Sequence, residues 1–355
     1  MKYRVLMLSV LTSFWFTSNA GNKDRLGQAG ATQLTINPWA HSTGMAGANS
    51  ASARGLEATA YNISGLAFVP KTEIIYSNVQ WLGSGAEGVS MNSAGIAQRV
   101  GQASVIGISL STFGFGDIDV TTYNQPEGGL GTFNINNSSI RLSYAREFSN
   151  SIYGGFTFKT VSEGISNVNA SAVAFDAGIR YVTGKQENLQ FGIAINNIGP
   201  RMKFSGDGLN ETIELDDKEF TLAVNAESFE LPASLNIGLS YDVYLGEEME
   251  EDDNGLYAPH RLTGHFTFYS NSFGKDQYLF GAEYAFIERF MVRGGYTVED
   301  NSGDEVSTSA FTGLSAGASI EWPFGANSNK VALDYSYRAT EHFDAVHSIA
   351  LRLNL

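Results

Sequence analysis

The sequence contains no cysteine, and this absence removes several classes of site at once. Disulfide frameworks, thiolate zinc sites, cysteine nucleophiles and a lipidated N-terminal cysteine all require a thiol. Basic residues are also scarce, because 22 Lys and Arg stand against 37 Asp and Glu for a formal net charge of −15. A chain this acidic is repelled by phosphate backbones, so we expect no nucleic-acid partner.

Long uninterrupted apolar runs are missing after residue 20. The most apolar stretch, residues 278–296, is broken by Glu283, Glu288 and Arg289. A membrane-spanning helix needs about twenty consecutive apolar residues. The sequence beyond residue 20 therefore predicts no transmembrane helix, and the protein is either soluble in an exported space or embedded as a barrel.

The first twenty residues have the three parts of a secretory signal peptide. Lys2 and Arg4 form a basic start, residues 5–16 are apolar, and Ser18-Asn19-Ala20 is a small-x-small cleavage site. A transmembrane anchor is the alternative, but an apolar run of about a dozen residues is too short for it. We predict cleavage after Ala20 and export of the remaining chain.

The remaining sequence is dominated by an alternation of apolar and polar residues with a period of two. In residues 331–338, Val331, Leu333, Tyr335 and Tyr337 fall on one side of an extended chain, and small or charged residues fall on the other. Such alternation is typical of a strand with one apolar face. It does not by itself distinguish a soluble sandwich, with that face inward, from a membrane barrel, with that face toward lipid.

The length and number of the strands favour the membrane barrel. Strands of soluble proteins are commonly five or six residues long, whereas strands that span lipid need about nine to eleven. Bacterial single-chain barrels also have an even number of strands. We predict an all-β, antiparallel barrel of about fourteen long strands, at Glu73–Trp81, Ser90–Gln98, Ala103–Phe113, Asn137–Glu147, Ser151–Val161, Ser171–Val182, Leu189–Ile198, Ala233–Leu245, His260–Ser270, Gln277–Ile287, Arg289–Glu299, Ala310–Glu321, Asn329–Ala339 and Ala345–Leu355.

The predicted connections alternate between short turns and longer loops, with one exception. The long loops Gly114–Asn136 and Gly199–Pro232 fall at one end of the barrel, as expected for the outer end. The segment Gly246–Pro259, which holds the acidic run at 247–253, is long but falls at the short-turn end. Either one strand is miscounted or this segment projects from the periplasmic end.

Residues 42–67 lack the strand alternation and are rich in Gly, Ala and Ser. Small residues are needed where backbones approach closely. We predict a signal peptide at 1–20, a plug or hatch at 21–70 inside the lumen, and a transmembrane barrel at 71–355. The alternative for the middle segment is a free N-terminal extension.

Several short motifs carry a resemblance to a known family. They are GMAGA at Gly44–Ala48, ATAYNISGLA at Ala58–Ala67, NIGPRM at Asn197–Met202, LPASLNIG at Leu231–Gly238 and LDYSY at Leu333–Tyr337. The first two resemble the N-terminal hatch of FadL-type outer-membrane barrels, and the set is most similar to the PorV/PorQ proteins of the type IX secretion system. The resemblance runs from about residue 30 to the C-terminus.

The resemblance implies a non-enzymatic component of the type IX secretion system in the cell outer membrane. It would bind the C-terminal signal domain of secreted cargo or anchor a translocon or attachment-complex partner, in contact with outer-membrane lipid. The close alternative is a FadL-like channel that takes up hydrophobic small molecules through a movable hatch. A PorV-like and a PorQ-like role both remain open, as does the oligomeric state.

The candidate functional residues form two groups. Those of the hatch motif are Gly44, Met45, Gly47, Asn62, Gly65 and Leu66. The second group consists of apolar residues spaced along the two long loops. Exposed apolar residues grouped in this way often mark a partner surface. These candidate partner-binding residues are Phe115, Tyr123, Phe133, Phe204, Leu209, Phe220 and Phe229. The alternative for this second group is a lid over the mouth of the lumen.

We expect no catalytic site, cofactor or bound metal. One hydroxyl, imidazole and carboxylate set is conceivable, because His265 shares an inward face with Thr263 and Thr267, and Asp242 lies on the preceding strand. The inward faces of barrels are rich in polar groups of this kind, so a polar network is the favoured interpretation. The acidic run at 247–253 lacks the spacing of a calcium loop and is interpreted as a solvated turn.

Overall fold

The computed structural model describes residues 25–81, 88–215, 218–245, 250–252, 255–257, 259–299, 309–325, 329–341 and 343–355. The predicted signal peptide lies outside these residues. Strands that form one closed barrel dominate the described chain. No helix in these residues is long and apolar enough to cross a lipid bilayer.

Fourteen strands form the barrel, each antiparallel to its sequence neighbour. They are β1 Thr72–Trp81, β2 Val89–Val100, β3 Ser104–Gly114, β4 Ile135–Ser149, β5 Ile152–Ile165, β6 Val168–Thr183, β7 Leu189–Ile198, β8 Ser234–Leu245, β9 His260–Asn271, β10 Gln277–Phe286, β11 Phe290–Glu299, β12 Phe311–Phe324, β13 Asn329–Thr340 and β14 Val346–Asn354.

The barrel closes where β1 pairs with β14, with Glu73 opposite Asn354 and Gln80 opposite His347. Closure pairs both edges of the sheet, which leaves no open edge to aggregate. The predicted class, a fourteen-stranded antiparallel barrel, is confirmed, and the largest error in a strand boundary is four residues, at the end of β5. Alternation read from the sequence therefore located every strand of the barrel.

The apolar face of the strands points outward. On β13, Leu333 is 51% exposed, whereas Asp334 and Ser336 are fully buried inside the barrel. The same pattern holds on β14, where Ile349 and Leu351 are exposed and Ala350 is buried. An outer wall of large apolar side chains is the surface that hydrocarbon solvates, while the inward polar groups face the lumen.

The two ends of the barrel differ in their connections. At one end, here called the turn end, short links such as 101–103, 150–151 and 287–289 join the strands, and the chain terminates at residue 355. At the other, the loop end, the long segments 115–134 and 199–233 connect β3 to β4 and β7 to β8. The acidic segment 246–259 joins β8 to β9 at the turn end, where a ribbon pairs Glu250–Asp252 with Gly255–Tyr257. The strand count was therefore right, while residues 246–249, 253–254 and 258, which include part of the acidic run, lie outside the described residues.

The N-terminal segment, residues 25–70, runs through the lumen from the loop end to the turn end. Near the loop end, the Gly30 amide donates to the Glu230 carbonyl at 3.1 Å. Near the turn end, the Arg99 guanidinium donates to the carbonyl of Ala67 at 2.7 Å. Between them lie helix α1, Ala40–Thr43, and three 3₁₀ turns, Thr32–Thr35, Gly55–Ala60 and Ile63–Phe68. This segment is called the plug below.

Candidate functional site

The inner wall of the barrel carries glycines where the plug touches it. A Cβ built on Gly295 would lie 2.3 Å from the Met45 carbonyl carbon, and one on Gly178 would lie 2.2 Å from the Asn62 side-chain oxygen. A Cβ on Gly107 would approach Leu66 at 3.4 Å. Because no Cβ fits at the first two positions, the plug lies closer to the wall than any other residue would permit.

Residues of the hatch motif hold the plug in shape and against the wall. Asn62 caps the turn Ile63–Phe68, because its side-chain oxygen accepts from the Ser64 amide at 3.2 Å, and its amide donates to the Ile179 carbonyl. Gly47 has a left-handed φ of 79° and lies under the Tyr61 hydroxyl, where a side chain would clash. Gly65 packs directly on the Ala53 carbonyl. The remaining members of the motif, Gly44, Met45 and Leu66, are also buried against the barrel.

Hydrogen bonds join the plug to strands on opposite sides of the barrel. Thr43 and Ser336 share a hydrogen bond of 2.6 Å between hydroxyls, and Ser50 and Thr267 share one of 2.7 Å. The Leu56 amide donates to the Glu73 carboxylate at 2.6 Å. A plug bonded to β13, β9 and β1 cannot slide along the lumen as a rigid body without breaking buried hydrogen bonds, each costly if its groups stay unpaired.

Inward apolar side chains occur at two levels on three adjacent strands of the barrel. Strands β1, β2 and β3 each carry two buried apolar residues, one near the loop end and one nearer the turn end. We call these six residues the apolar track: Val79, Met91 and Phe113 toward the loop end, and Ile75, Ala97 and Val105 toward the turn end. Small side chains such as Ser77 and Ser93 separate the two levels, and Trp39, Leu56 and Leu66 of the plug cover the lower one.

A charged part of the lumen, which extends from β7 round to β14, encloses a cavity of about 760 Å³ between plug and wall. Its lining includes Glu283 and Arg261 from the strands and His41, Arg54 and Glu57 from the plug, and it reaches residues of the turns at the turn end. Ion pairs run through it: Arg293 Nε lies 3.2 Å from Glu283, and Arg261 Nε lies 2.7 Å from Glu288. The cavity suits charged or metal ligands and not an apolar one.

Burial and the surrounding charge shift the pKa values of two groups of the plug. For His41, burial and the nearby Arg293 disfavour the imidazolium, but Glu57, Glu283 and Asp334 outweigh both and raise the pKa to about 9. For Glu57, burial is the main cause and raises the pKa, against the opposing pull of His41 and Arg352. The raised pKa of His41 reflects the carboxylates around it, and that of Glu57 mainly reflects its burial.

The conceivable catalytic set around His265 is not assembled. His265 Nδ1 contacts the hydroxyls of Ser240 at 2.9 Å and Ser52 at 3.1 Å. Thr263 instead donates to Asp242 at 2.6 Å, and Thr267 donates to the Ala48 carbonyl. These contacts are those of a polar lumen network that also binds the plug.

The loop residues proposed as a partner surface divide into two kinds. Phe204 and Phe229, with ring centroids 5.5 Å apart, pack over a buried apolar cluster beneath the loop end, and Phe115 packs over another. Phe133 and Leu209 are half-buried. Tyr123 is fully exposed, and Phe220 is 46% exposed. The first kind covers the mouth of the lumen, and only the last two residues are free to meet a partner.

Phe220 belongs to a two-stranded ribbon, Asn210–Leu215 with Lys218–Ala223, that projects from the loop end. Ile213 lies opposite Phe220 in the ribbon register. Leu222 and Val224 follow Phe220 at alternate positions, and all four side chains are between 40% and 48% exposed. We call these four residues the apolar ribbon face.

The charged residues of the lumen were missed as functional candidates by sequence reasoning. Glu283, Arg293 and Asp334 each occupy an inward position of a strand whose alternation was readable. Charges at inward positions were therefore a usable signal for a lumen site. Their convergence on His41 and Glu57 carried no such signal, because the plug has no regular period.

Glu230 joins the start of the plug to the long loop, and acid should weaken this connection. Its carboxylate lies 2.9 Å from Arg25 and 2.8 Å from Arg201. Hydrogen bonds from Arg25 and then Arg201 lower the pKa of Glu230 below its usual 4.5. Because the folded-state pKa is depressed, the stabilisation is fully present above pH 4.5 and is lost as pH falls through the lower folded value.

Hydrogen exchange of residues 25–31 should therefore accelerate only below about pH 4.5, after correction for intrinsic exchange rates. The Glu230→Gln variant should exchange at the faster rate throughout. Identical pH profiles in the two proteins would show that the carboxylate does not hold this segment.

No protein-family model matches this sequence, and no curated protein matches it. Solved structures do match. A FadL homologue from Pseudomonas aeruginosa superposes with a TM-score of 0.52 at 10% identity, over 89% of this chain and 98% of that chain. The chain therefore has the FadL-like barrel fold.

Two further structures align over most of their length with lower scores. The CymD monoaromatic hydrocarbon channel gives a TM-score of 0.48 at 13% identity, over 92% of this chain and 97% of that chain. The Pseudomonas putida toluene transporter TodX gives 0.48 at 13% identity, over 90% and 97%.

Proposed function

We propose that this protein is an outer-membrane channel of the FadL-like type that passes a hydrophobic small molecule along the barrel wall beside the plug. The observation that carries the proposal is the apolar track on β1 to β3. The lumen of a membrane barrel is ordinarily polar, so apolar inward residues need a reason. Trp39, Leu56 and Leu66 of the plug cover the lower level, and Ile36 and Phe115 pack against the upper level. An apolar solute that moves along the wall would contact both levels as these side chains move aside.

The outward apolar face and the closed barrel support a location in the outer membrane. Strands can cross lipid only when every backbone group is paired, and closure supplies that pairing. After cell fractionation, the protein should sediment with outer-membrane proteins and require detergent for extraction. A processed chain that stays monodisperse in buffer without any amphiphile would contradict the location.

Uptake by cells tests the channel most directly, because the outer leaflet of the outer membrane slows hydrophobic solutes. The chain offers a matched pair of inward methionines. Met91 lies on the apolar track, and Met291 lines the charged cavity. Glutamine has nearly the volume of methionine but adds an amide that an apolar solute cannot satisfy.

In a bacterial host without its own FadL-like channel, expression of the wild-type protein should raise uptake of radiolabelled oleate or toluene several-fold. Met91→Gln should abolish most of that gain, and Met291→Gln should retain it. Equal uptake with and without the protein would contradict the channel, and equal loss in both variants would contradict the route along β1 to β3.

A second candidate is the role in type IX secretion that the sequence motifs imply, with secreted cargo or a translocon or attachment-complex protein as partner. One observation favours it. The apolar ribbon face, Ile213, Phe220, Leu222 and Val224, is exposed on a projection of the loop end. Exposed apolar groups of this kind are typical of protein interfaces.

Replacement of Phe220 and Leu222 with glutamate should remove a partner at this face without altering the barrel. Co-purification from the native host would then lose the secretion-system proteins, while Tyr123→Glu, at a more exposed residue of the other long loop, would retain them. If those proteins are recovered equally with both variants, the ribbon is not the docking surface. Oleate uptake in the same strains separates this role from the channel.

A further inference from the structure

Three metal-binding side chains converge where the plug meets the charged wall. His41 comes from helix α1, Glu57 from the 3₁₀ turn Gly55–Ala60, and Asp334 from β13. One ligand atom from each lies within 4.8 Å of the other two. In a tetrahedral zinc site with bonds near 2.0 Å, ligand atoms lie about 3.3 Å apart, so small side-chain movements would complete the geometry.

Both carboxylates have a buried oxygen that accepts no hydrogen bond from the described residues, although Arg352 lies 3.7 Å from that of Asp334. Ser42 donates to Glu57 Oε2 at 3.1 Å, and Ser319 donates to Asp334 Oδ1. The other oxygens, Glu57 Oε1 and Asp334 Oδ2, have no hydrogen-bond partner among the described residues, and both side chains are at least 98% buried. A buried carboxylate oxygen without a partner is costly, and a cation would remove that cost.

The imidazole of His41 is also oriented to bind a cation. Nε2 of His41 lies 3.0 Å from Glu283, whereas Nδ1 faces Asp334 at 3.7 Å, too far for a direct hydrogen bond. Nδ1 has no hydrogen-bond partner in the described part of the chain. A carboxylate on one ring nitrogen with the other nitrogen free is the arrangement that orients metal-binding histidines.

The surrounding charge leaves room for a divalent cation. Three carboxylates, of Glu57, Glu283 and Asp334, surround the imidazole, and two guanidinium groups lie near Asp334. A third guanidinium, of Arg261, lies 3.2 Å from Glu283 but is paired through two nitrogens with Glu288, so it is counted with Glu288. Arg293 Nη1 and Arg352 Nη2 lie 4.0 Å and 3.7 Å from different oxygens of Asp334. An imidazole that binds a metal must be neutral, so binding would release the proton that the surrounding carboxylates favour on His41. With His41 neutral, the group carries a net charge of −1, and a dication would change this to +1.

We propose that His41, Glu57 and Asp334 bind one Zn²⁺-type cation that joins the plug to the barrel wall. One imidazole nitrogen and two carboxylate oxygens suit zinc, and the fourth position would face the 760 Å³ cavity, where water can reach it. Two ligands belong to the plug and one to β13, so the ion fixes the plug in place. This site is independent of whether the barrel transports small molecules or serves protein secretion.

Calorimetric titration of chelator-treated, detergent-purified protein with Zn²⁺ tests the site. The wild-type protein should bind one equivalent, and His41→Ala, Glu57→Gln and Asp334→Asn should each weaken binding at least about tenfold. His265→Ala is the matched control, because His265 lies in the same cavity but away from the cluster, and its affinity should stay within about twofold of wild type. Wild-type affinity in the three cluster variants, or no binding by the wild type, overturns the proposal.

A measurement on the unaltered protein covers the case in which a variant fails to fold. X-ray absorption of the Zn²⁺-loaded wild type should show one imidazole nitrogen and carboxylate or water oxygens at about 2.0 Å. A shell of oxygens alone, or one with two imidazoles, would place the ion elsewhere and overturn the assignment. A denaturing gel of unheated samples identifies the variants that have lost the barrel. Such a variant migrates more slowly than the unheated wild type, whereas a variant that keeps the barrel migrates with it.

Discussion

Replacement of Gly295 with leucine should unseat the plug and raise the ion conductance of the reconstituted barrel roughly tenfold, since a barrel of this size without its plug encloses an aqueous lumen. The reason is steric. A Cβ at this position would lie 2.3 Å from the Met45 carbonyl carbon and 2.8 Å from the Ala46 amide nitrogen. The wall is held by hydrogen bonds on both sides of β11, so the plug is the part that moves.

The neighbouring glycine provides the control for this experiment. A Cβ on Gly294 would meet nothing closer than the Ser315 carbonyl oxygen at 3.8 Å, so Gly294→Leu adds the same side chain without contacting the plug. Single-channel recording in planar bilayers compares the two variants with the wild type. Wild-type conductance in the Gly295 variant, or an equal rise in both, would show that the plug does not depend on this close contact.

Replacement of Arg293 with methionine should cost about 3–5 kcal/mol of folding stability, the usual effect of removing one partner from a buried ion pair. The Arg293 side chain is fully buried between Glu283 at 3.2 Å and Asp334 at 4.0 Å. Methionine keeps much of the aliphatic volume but leaves two buried carboxylates with less compensation. The loss of folding stability therefore measures the effect of the missing charge and not the effect of a cavity.

Arg201→Met is the matched comparison at the surface. Arg201 pairs with Glu230 at 2.8 Å, but its side chain is 62% exposed. Loss of such a pair costs about 0–1 kcal/mol. Urea unfolding in detergent, followed by tryptophan fluorescence, measures both variants. If they lose similar stability, the ion pairs of the lumen are solvated and do not hold the barrel together.

The sequence predicted the barrel because lipid imposes a strict rule on each strand separately. Every strand must present apolar side chains outward over about ten residues, and this requirement is visible without knowledge of any neighbour. The alternation at Leu333, Asp334 and Tyr335 separated the two faces, and the length and number of the strands assigned the polar face to the inside, as the burial of Asp334 shows. The largest boundary error, at the end of β5, arises because the hydrogen bonding between strands can continue beyond the lipid.

The contacts of the candidate site could not be predicted in the same way. Thr43 and Ser336 are 293 positions apart yet share a hydrogen bond, and His41 meets Asp334 over a similar separation. The plug is irregular, so its sequence does not specify which side chain faces which strand. The apolar track was also hidden, because Val79 and Met91 are inward residues at positions where alternation predicts polar groups.

What the sequence by itself determined is the outward face, the number of strands and the smallness of the residues at 42–67, since each follows from a local rule of period or size. Only the tertiary structure decided where the charged and apolar parts of the lumen lie and which plug residues they meet. The physical reason is that closure of the barrel brings β1 beside β14 and surrounds the plug with every strand, so each contact inside depends on the whole ring.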